Sequence, residues 1–345
     1  MGLSGDVRSD PSMLCPGAMV QNTVLTGRQK QAFALGERLR PIVLGAPSAE
    51  LASVGGATGA PDVVVSVHSS SGDVLGYAVV DHAVPGATRG GLTVSPELSL
   101  TDAVVRARAR TLQLRLCGLP GGAHHCVVTH ASAGKSRTAA RRAFLDGLAP
   151  LAAAGLCDVV FTEDERGARP RLAHGSLVAS VTATALSVLE HLAVEPAQAT
   201  FVLRDPSPAA RETALALAEL GARELGGPDG TGAEDIDLAL VDGPPRPVRL
   251  GDPLLVRARA IVLLTTSVPT AAAEAVLDER GVIVVPETLT TAGRTVALDL
   301  LERGLDKRSA LLRSTARVRR LTTSLLLIAH ERREPLMAIV RAAAE

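Results

Sequence analysis

His124 and His125 stand side by side in the run GLPGGAHHCVVTH, followed directly by Cys126, with Cys117 and His130 close by. An imidazole titrates near ~6.5 in its ordinary state, so either histidine can move a proton at neutral pH. Together with the thiols, the same residues are donors that a soft cation would accept. Successive side chains on a strand alternate between faces, however, so His124 and His125 point apart, as do His125 and Cys126. At most His124 and Cys126 share a side; the spacing is poor for a tetrahedral site, and no metal is assigned. FTEDERGA sets Asp164 two residues from Arg166, charges of opposite sign that can form an ion pair. The AGKS run at 133–136 has the end of a phosphate loop but not its start, because position 129 is Thr rather than Gly.

These residues need elements to hold them. The segment VVVSVHSSSGDVLGYAVVDH reads as two β-branched runs joined in a hairpin, with Gly72 and Asp73 at the turn. It leads into GATRGG, read as a glycine turn over 86–91. Ser99, with Asp102 three residues on, starts a helix that runs to about 116, where Gly118 and Pro120 stop it. A strand over 126–129, a helix over 137–154, a strand over 158–162 and a loop over 163–171 follow. A small-residue helix at 174–192 bridges to a second alternating region. Its strands are expected at 199–203, 223–226, 236–241, 260–264 and 281–285, its helices at 208–221 and 270–279, and a helical tail at 292–344. The first sixty residues mix Gly, Ser, Pro and Ala, with one helical segment at 27–39, a linker-like tract at 46–61 and a disordered extreme N-terminus.

The pattern predicts two α/β domains, an N-terminal substrate and oligomerisation domain and a C-terminal Rossmann-like, doubly wound domain, with a cleft between them. The expected boundaries are 1–60 for an N-terminal extension, 61–175 and 176–305 for the domains, and 306–345 for C-terminal helices that fold back toward the first. At 345 residues the chain is comfortable for two cores. Lys plus Arg and Asp plus Glu both number 36, so no global field favours nucleic acid or an anionic membrane. With no Trp, one Tyr and four Phe, the chain is poor in side chains on which bases could stack. The four cysteines show no disulfide framework and the N-terminus has no apolar leader core, which predicts a cytoplasmic protein with reduced thiols, acting on a small molecule or a protein partner.

Three stretches resemble the glutamate/leucine/phenylalanine/valine dehydrogenase family. GATRGG, SPELSL and GLPGGAHH follow the order and near spacing of that family's GxxxGG, xPExSL and GLPxGGAK; SVPTAAAEAVLDERGVIVVPETLTTAG resembles its NGPTTPEA and LEERGILVVPDxxxNAGG; and FTEDERGA resembles TxxDVGT. The resemblance covers roughly residues 60–340. It implies NAD(P)-dependent interconversion of amino acids and 2-oxo acids, with one Lys holding the substrate carboxylate and a second activating water. Aligned residue by residue, Gln113 stands at the first Lys and His124 at the second, so both lysines are absent. Asp164 stands at the catalytic Asp, and Arg89, Gly90 and Gly91 fall in the substrate-side glycine segment, where Arg89 could partly replace the missing cation. Thr291 stands at the family's Asn and Arg294 at its second Gly.

The dinucleotide turn departs further. After the strand FVL the chain reads RDPSPAARETALALAELGA, with no glycine between Arg204 and Leu220. Pro206 and Pro208 offer no N–H to a pyrophosphate, and Ala209 and Ala210 bring Cβ atoms into its space. Ser207 is read as a helix cap; it, Asp229 and Thr291 are the positions where the resemblance would place cofactor contacts. Two expectations result. The first is a pseudoenzyme acting as a regulatory or partner subunit, as a homo-oligomer or a hetero-oligomer with a dehydrogenase paralogue. The second is an active oxidoreductase on amino acids and 2-oxo acids, or a catalyst of non-redox imine chemistry through His124 and Asp164.

Overall fold

The computed structural model describes residues 18–25, 61–69, 74–84, 88–129, 135–148, 151–152, 155, 157, 168–225, 235–242, 257–264 and 269–344. The chain divides into two compact units, Met1–Thr111 with Gly121–Glu163, and Leu112–Pro120 with Asp164–Glu345. Asp164, Arg166, Asp229, His130, residues 70–73 of the SSSGD turn, the helix expected at 27–39 and the strand expected at 158–162 lie outside the described residues.

The first unit is built on strands β1 (Ala18–Leu25), β2 (Val63–Ser69), β3 (Val74–His82), β4 (Thr88–Val94) and β5 (Gly122–Val128), with helix α2 (Lys135–Gly147) and the part of helix α1 (Leu100–Leu116) up to Thr111, the last turn of α1 belonging to the second unit. Its sheet order is β1-β2-β3-β5-β4, antiparallel except for the β4–β5 pair. Alternation sorts the strand residues between two cores. Val63, Val65, Val67, Ala78, Val80, Cys126 and Val128 pack with Phe144 and Leu148 of the α2 side. Val64, Val79 and Val127 face Ala103, Val104 and Ala107 of α1. Both faces are covered where β2 begins, so Val63, Val64 and Val65 are apolar in succession, and from Ser66 the strand alternates, with Val67 facing the α2 side. α1 starts as its sequence predicts: Ser99 N donates to Asp102 Oδ2 at 2.8 Å, and Asp102 N donates to Ser99 Oγ at 3.3 Å.

Two elements differ from the sequence reading. Residues 18–25, assigned to the N-terminal extension, form the edge strand β1. The GATRGG segment is not a turn over its whole length; from Thr88 it is strand β4, in parallel register with β5, Gly90 opposite His124 and Gly91 opposite His125. Gly90 serves close approach rather than chain reversal, while Gly91 has room for a Cβ. A Cβ at Gly90 would land on the ring and carbonyl of His124, and one at Gly91 would sit 3.5 Å from the His125 ring.

The second unit contains helix α3 (Ala168–His191), β6 (Thr200–Arg204), α4 (Pro208–Glu219), β7 (Arg223–Glu224), β8 (Ile236–Val241), β9 (Ala258–Leu263), α5 (Ala271–Glu279) and β10 (Ile283–Val285). Four C-terminal helices follow: α6 (Glu287–Thr290), α7 (Ala292–Glu302), α8 (Lys307–Arg332) and α9 (Leu336–Ala344). All strand pairs are parallel, in the order β10-β9-β8-β6-β7, the pattern of a doubly wound sheet. Phe201, Leu238, Leu240 and Val262 pack against α3 and α4, while Val202, Ala239, Ile261 and Leu263 pack against Ala273 and Leu277 of α5.

The expected tail at 292–344 is three helices, and local chemistry sets the breaks. Gly304 takes φ 88 before Asp306 caps α8, accepting from Ser309 N at 3.0 Å. Arg333 turns left-handed at φ 55, and Pro335 prevents continuation into α9. The stretch Leu172–His191 of α3 is long and apolar enough to cross a membrane, but 56% of it is buried inside the protein, as in a core helix.

Candidate functional site

Within the second unit, Gln113 is 2% exposed and its side chain is held from both ends. Its Nε2 donates to Thr291 Oγ1 at 2.8 Å and to the Thr288 carbonyl at 3.2 Å, while Oε1 accepts from Thr295 Oγ1. Thr291 passes its own hydroxyl proton to the Glu287 carbonyl, at 2.9 Å. The aligned substrate-side Gln113 and the aligned cofactor-side Thr291 are therefore partners of each other in one buried network on α6 and α7. Neighbouring contacts extend it. Ser180 Oγ on α3 donates to the Thr290 carbonyl at 2.6 Å and accepts from Gly293 N at 3.1 Å. Gly293 is required there, since a Cβ would come 2.7 Å from that of Ser180. Arg294 follows directly; burial pushes its guanidinium below the ordinary value, the charge of Glu287 opposes that shift, and its Nε has no hydrogen-bond partner.

The β6–α4 turn lies at the switch point of the sheet, where the chain has gone from β6 to β7 on one side and returns to β8 on the other. Its groups are engaged internally. Ser207 Oγ accepts from Ala210 N at 3.3 Å, Pro208 occupies the first helical position without an N–H, and Ser207 N donates to Asp242 Oδ2 at 3.2 Å. Asp242, 8% exposed, also donates its backbone N–H to the Arg204 carbonyl at 3.0 Å, tying the ends of β6 and β8 together. Its carboxyl group stands where the N-terminus of α4 favours negative charge. Asp205 adopts φ 47, a left-handed conformation that Asp tolerates better than most residues, where a glycine turn would have Gly. Ala209 and Ala210 are buried under the turn. A pyrophosphate needs approachable N–H groups and an uncharged lip; these residues supply an acidic group and prolines, so they do not fit one.

In the first unit His124 is 2% exposed, opposite Val80 on β3 and Gly90 on β4. Its Nδ1 is buried with no hydrogen-bond partner. His125, on the other face, meets Thr93 Oγ1 through Nε2 at 3.0 Å. Arg89 lies opposite Ala123 in the β4–β5 register. Alternation holds for His124 and Cys126, and the structure adds a residue that sequence reading missed: Cys157, whose Sγ is 3.8 Å from that of Cys126. The hydrogen bond with Cys157, burial and the charge of that neighbour all push the Cys126 thiol well above its ordinary range. Cys157 lies 31 residues from Cys126, with no spacing motif to announce the pair.

The topology of each unit defines a class: the chain has the glutamate dehydrogenase-like fold, with an N-terminal α/β unit and a Rossmann-like unit. Structures similar to it are glutamate and amino-acid dehydrogenases. Hetero-hexameric glutamate dehydrogenase from Thermus thermophilus, in a leucine-bound form, matches at 17% identity and TM-score 0.58, covering 81% of this chain and 83% of that one. L-tryptophan dehydrogenase from Nostoc punctiforme matches at 15% identity and TM-score 0.55, covering 81% and 93%. Plasmodium falciparum glutamate dehydrogenase matches at 12% identity and TM-score 0.63, covering 82% and 77%. No family model and no curated protein matches the sequence.

Proposed function

We propose that this chain is a dehydrogenase-fold pseudoenzyme, a cytoplasmic regulatory or partner subunit that neither binds NAD(P) productively nor transfers hydride. The observation that carries the reading is the Gln113–Thr291–Thr295 network. A residue aligned with a substrate-anchoring cation is neutral, buried and fully committed to the residue aligned with the family's Asn. Carboxylate affinity at that position loses a charge-assisted bond, on the order of 1.5–3 kcal/mol. The β6–α4 turn supports the same reading, because Asp242 puts an acidic group at the helix N-terminus that a pyrophosphate would need. His124 counts against imine chemistry, since an imidazole enclosed by β3, β4 and the cysteines offers a substrate little access.

The partner role draws support from the hetero-hexameric description of the similar Thermus thermophilus dehydrogenase, which indicates that this fold can assemble from unlike subunits. The test is co-expression with a full-length dehydrogenase paralogue. Co-elution of the two chains, with altered amino-acid response of the paralogue's activity, is expected. Turnover of any 2-oxo acid with ammonia and reduced nicotinamide by the purified chain alone would overturn the reading.

A further inference from the structure

We propose that His124, Cys126 and Cys157 form a buried zinc site within the first unit, independent of the pseudoenzyme reading. The inference begins with the pleat of β5: His124 and Cys126, two residues apart, share a face, and that face is the one packed toward Phe144, Leu148 and Cys157. One donor atom from each of the three residues lies within 4.8 Å of the other two, and the residues are 2%, 3% and 5% exposed. Among the described residues no other trio of His, Cys, Asp or Glu is so placed.

The sulfur separation is informative. Two thiolates, each about 2.3 Å from a tetrahedral zinc ion, stand about 3.8 Å apart. The Cys126 and Cys157 sulfurs are 3.8 Å apart. Charge fits as well: Zn²⁺ with two thiolates and a neutral imidazole has no net charge, the least costly state for a cation beside an apolar core. Thiolate and imidazole donors select zinc over magnesium or calcium, which take oxygen ligands.

A disulfide between Cys126 and Cys157 is the competing use of the pair. It would consume the two sulfurs and leave the buried, partnerless Nδ1 of His124 unexplained, whereas a metal draws the imidazole into the same cluster. It would also require an oxidant to take up two electrons and two protons. Zinc binding needs none: two S–H bonds break, two Zn–S bonds form, and two protons go to solvent with no change of oxidation state. Three protein ligands leave the fourth tetrahedral position to water or another donor.

The experiment uses the untagged full-length chain, stripped with a chelator under reducing conditions and titrated anaerobically with Co²⁺, then with Zn²⁺. One cobalt per chain is expected, with thiolate-to-cobalt charge transfer in the near ultraviolet, intense tetrahedral d–d bands in the visible, and loss of all these bands when zinc displaces the cobalt. Cys157→Ser should weaken binding by more than about tenfold and cut the charge-transfer intensity. Cys117→Ser, altering a buried cysteine of the other unit, should leave the spectrum unchanged. Weak octahedral bands alone, a Cys157→Ser spectrum equal to wild type, or no cobalt uptake by the reduced wild-type chain would each overturn the proposal. The wild-type titration decides the matter even if a variant does not fold.

Discussion

Replacing Gln113 with Leu puts an apolar side chain of similar size, branched one carbon nearer the backbone, in its place and removes its polar contacts. Three hydrogen bonds are lost, to Thr288, Thr291 and Thr295. At about 1 kcal/mol net for each, the second unit loses about 3 kcal/mol. For a unit of this size that corresponds to a fall in melting temperature of about 6–12 °C, followed by circular dichroism. Gln113→Lys is destabilising too, because an ammonium cannot accept the Thr295 hydroxyl as the amide oxygen does. A double-mutant cycle with Thr295→Val isolates the pair and should return a coupling of about 1 kcal/mol. The reasoning is refuted if Gln113→Leu melts within about 1 °C of wild type, since a residue held open for ligand would tolerate the change.

Gly90→Val tests the close approach of β4 to β5. With its Cβ directed onto the His124 ring and carbonyl, the strand must shift, and a loss of about 1–3 kcal/mol by denaturant unfolding is expected; an unchanged midpoint would contradict the register. His191 on α3 packs edge-on to His330 of α8, ring centroids 5.7 Å apart, and burial, aided by the charge of His330, lowers its pKa. The unfolded chain then binds a proton in a range where the folded one does not, so stability is full above about pH 6.5 and falls as pH drops through that value toward the folded pKa. Melting temperature should decline on acidification from about pH 7.5 to about pH 5.5, and less steeply in His330→Gln; equal slopes in the two proteins would contradict the assignment.

The second unit was legible because its strands carry their own punctuation. The run IDLALV is a strand over its full expected length, and Ser207 with Pro208 announces α4. The capping pair Ser99 and Asp102 was equally local. What local reading could not supply was the partner of each residue. GATRGG has the composition of a turn, and only the His124 ring across the sheet explains why Gly90 belongs in a strand. Gln113 reads as a substitution at a substrate position, yet its role is set by threonines some 175 to 182 residues away. Cys157 gave no signal because alternation constrains residues on one strand and says nothing about a distant one. The helical character of the tail was legible, but where its helices begin and end was not, because the breaks are set by single residues, Gly304 and Arg333, inside a run of unbroken apolar periodicity.

The most direct measurement of the central claim is a fluorescence titration of the purified chain with NADH and NADPH. With Asp242 bound at the N-terminus of α4 and no glycine in the turn, no saturable change is predicted up to millimolar cofactor, on the order of 4 kcal/mol of binding at most. Saturation in the micromolar range would contradict the account, because it would require a pyrophosphate to be held by the very groups the protein uses to close that turn.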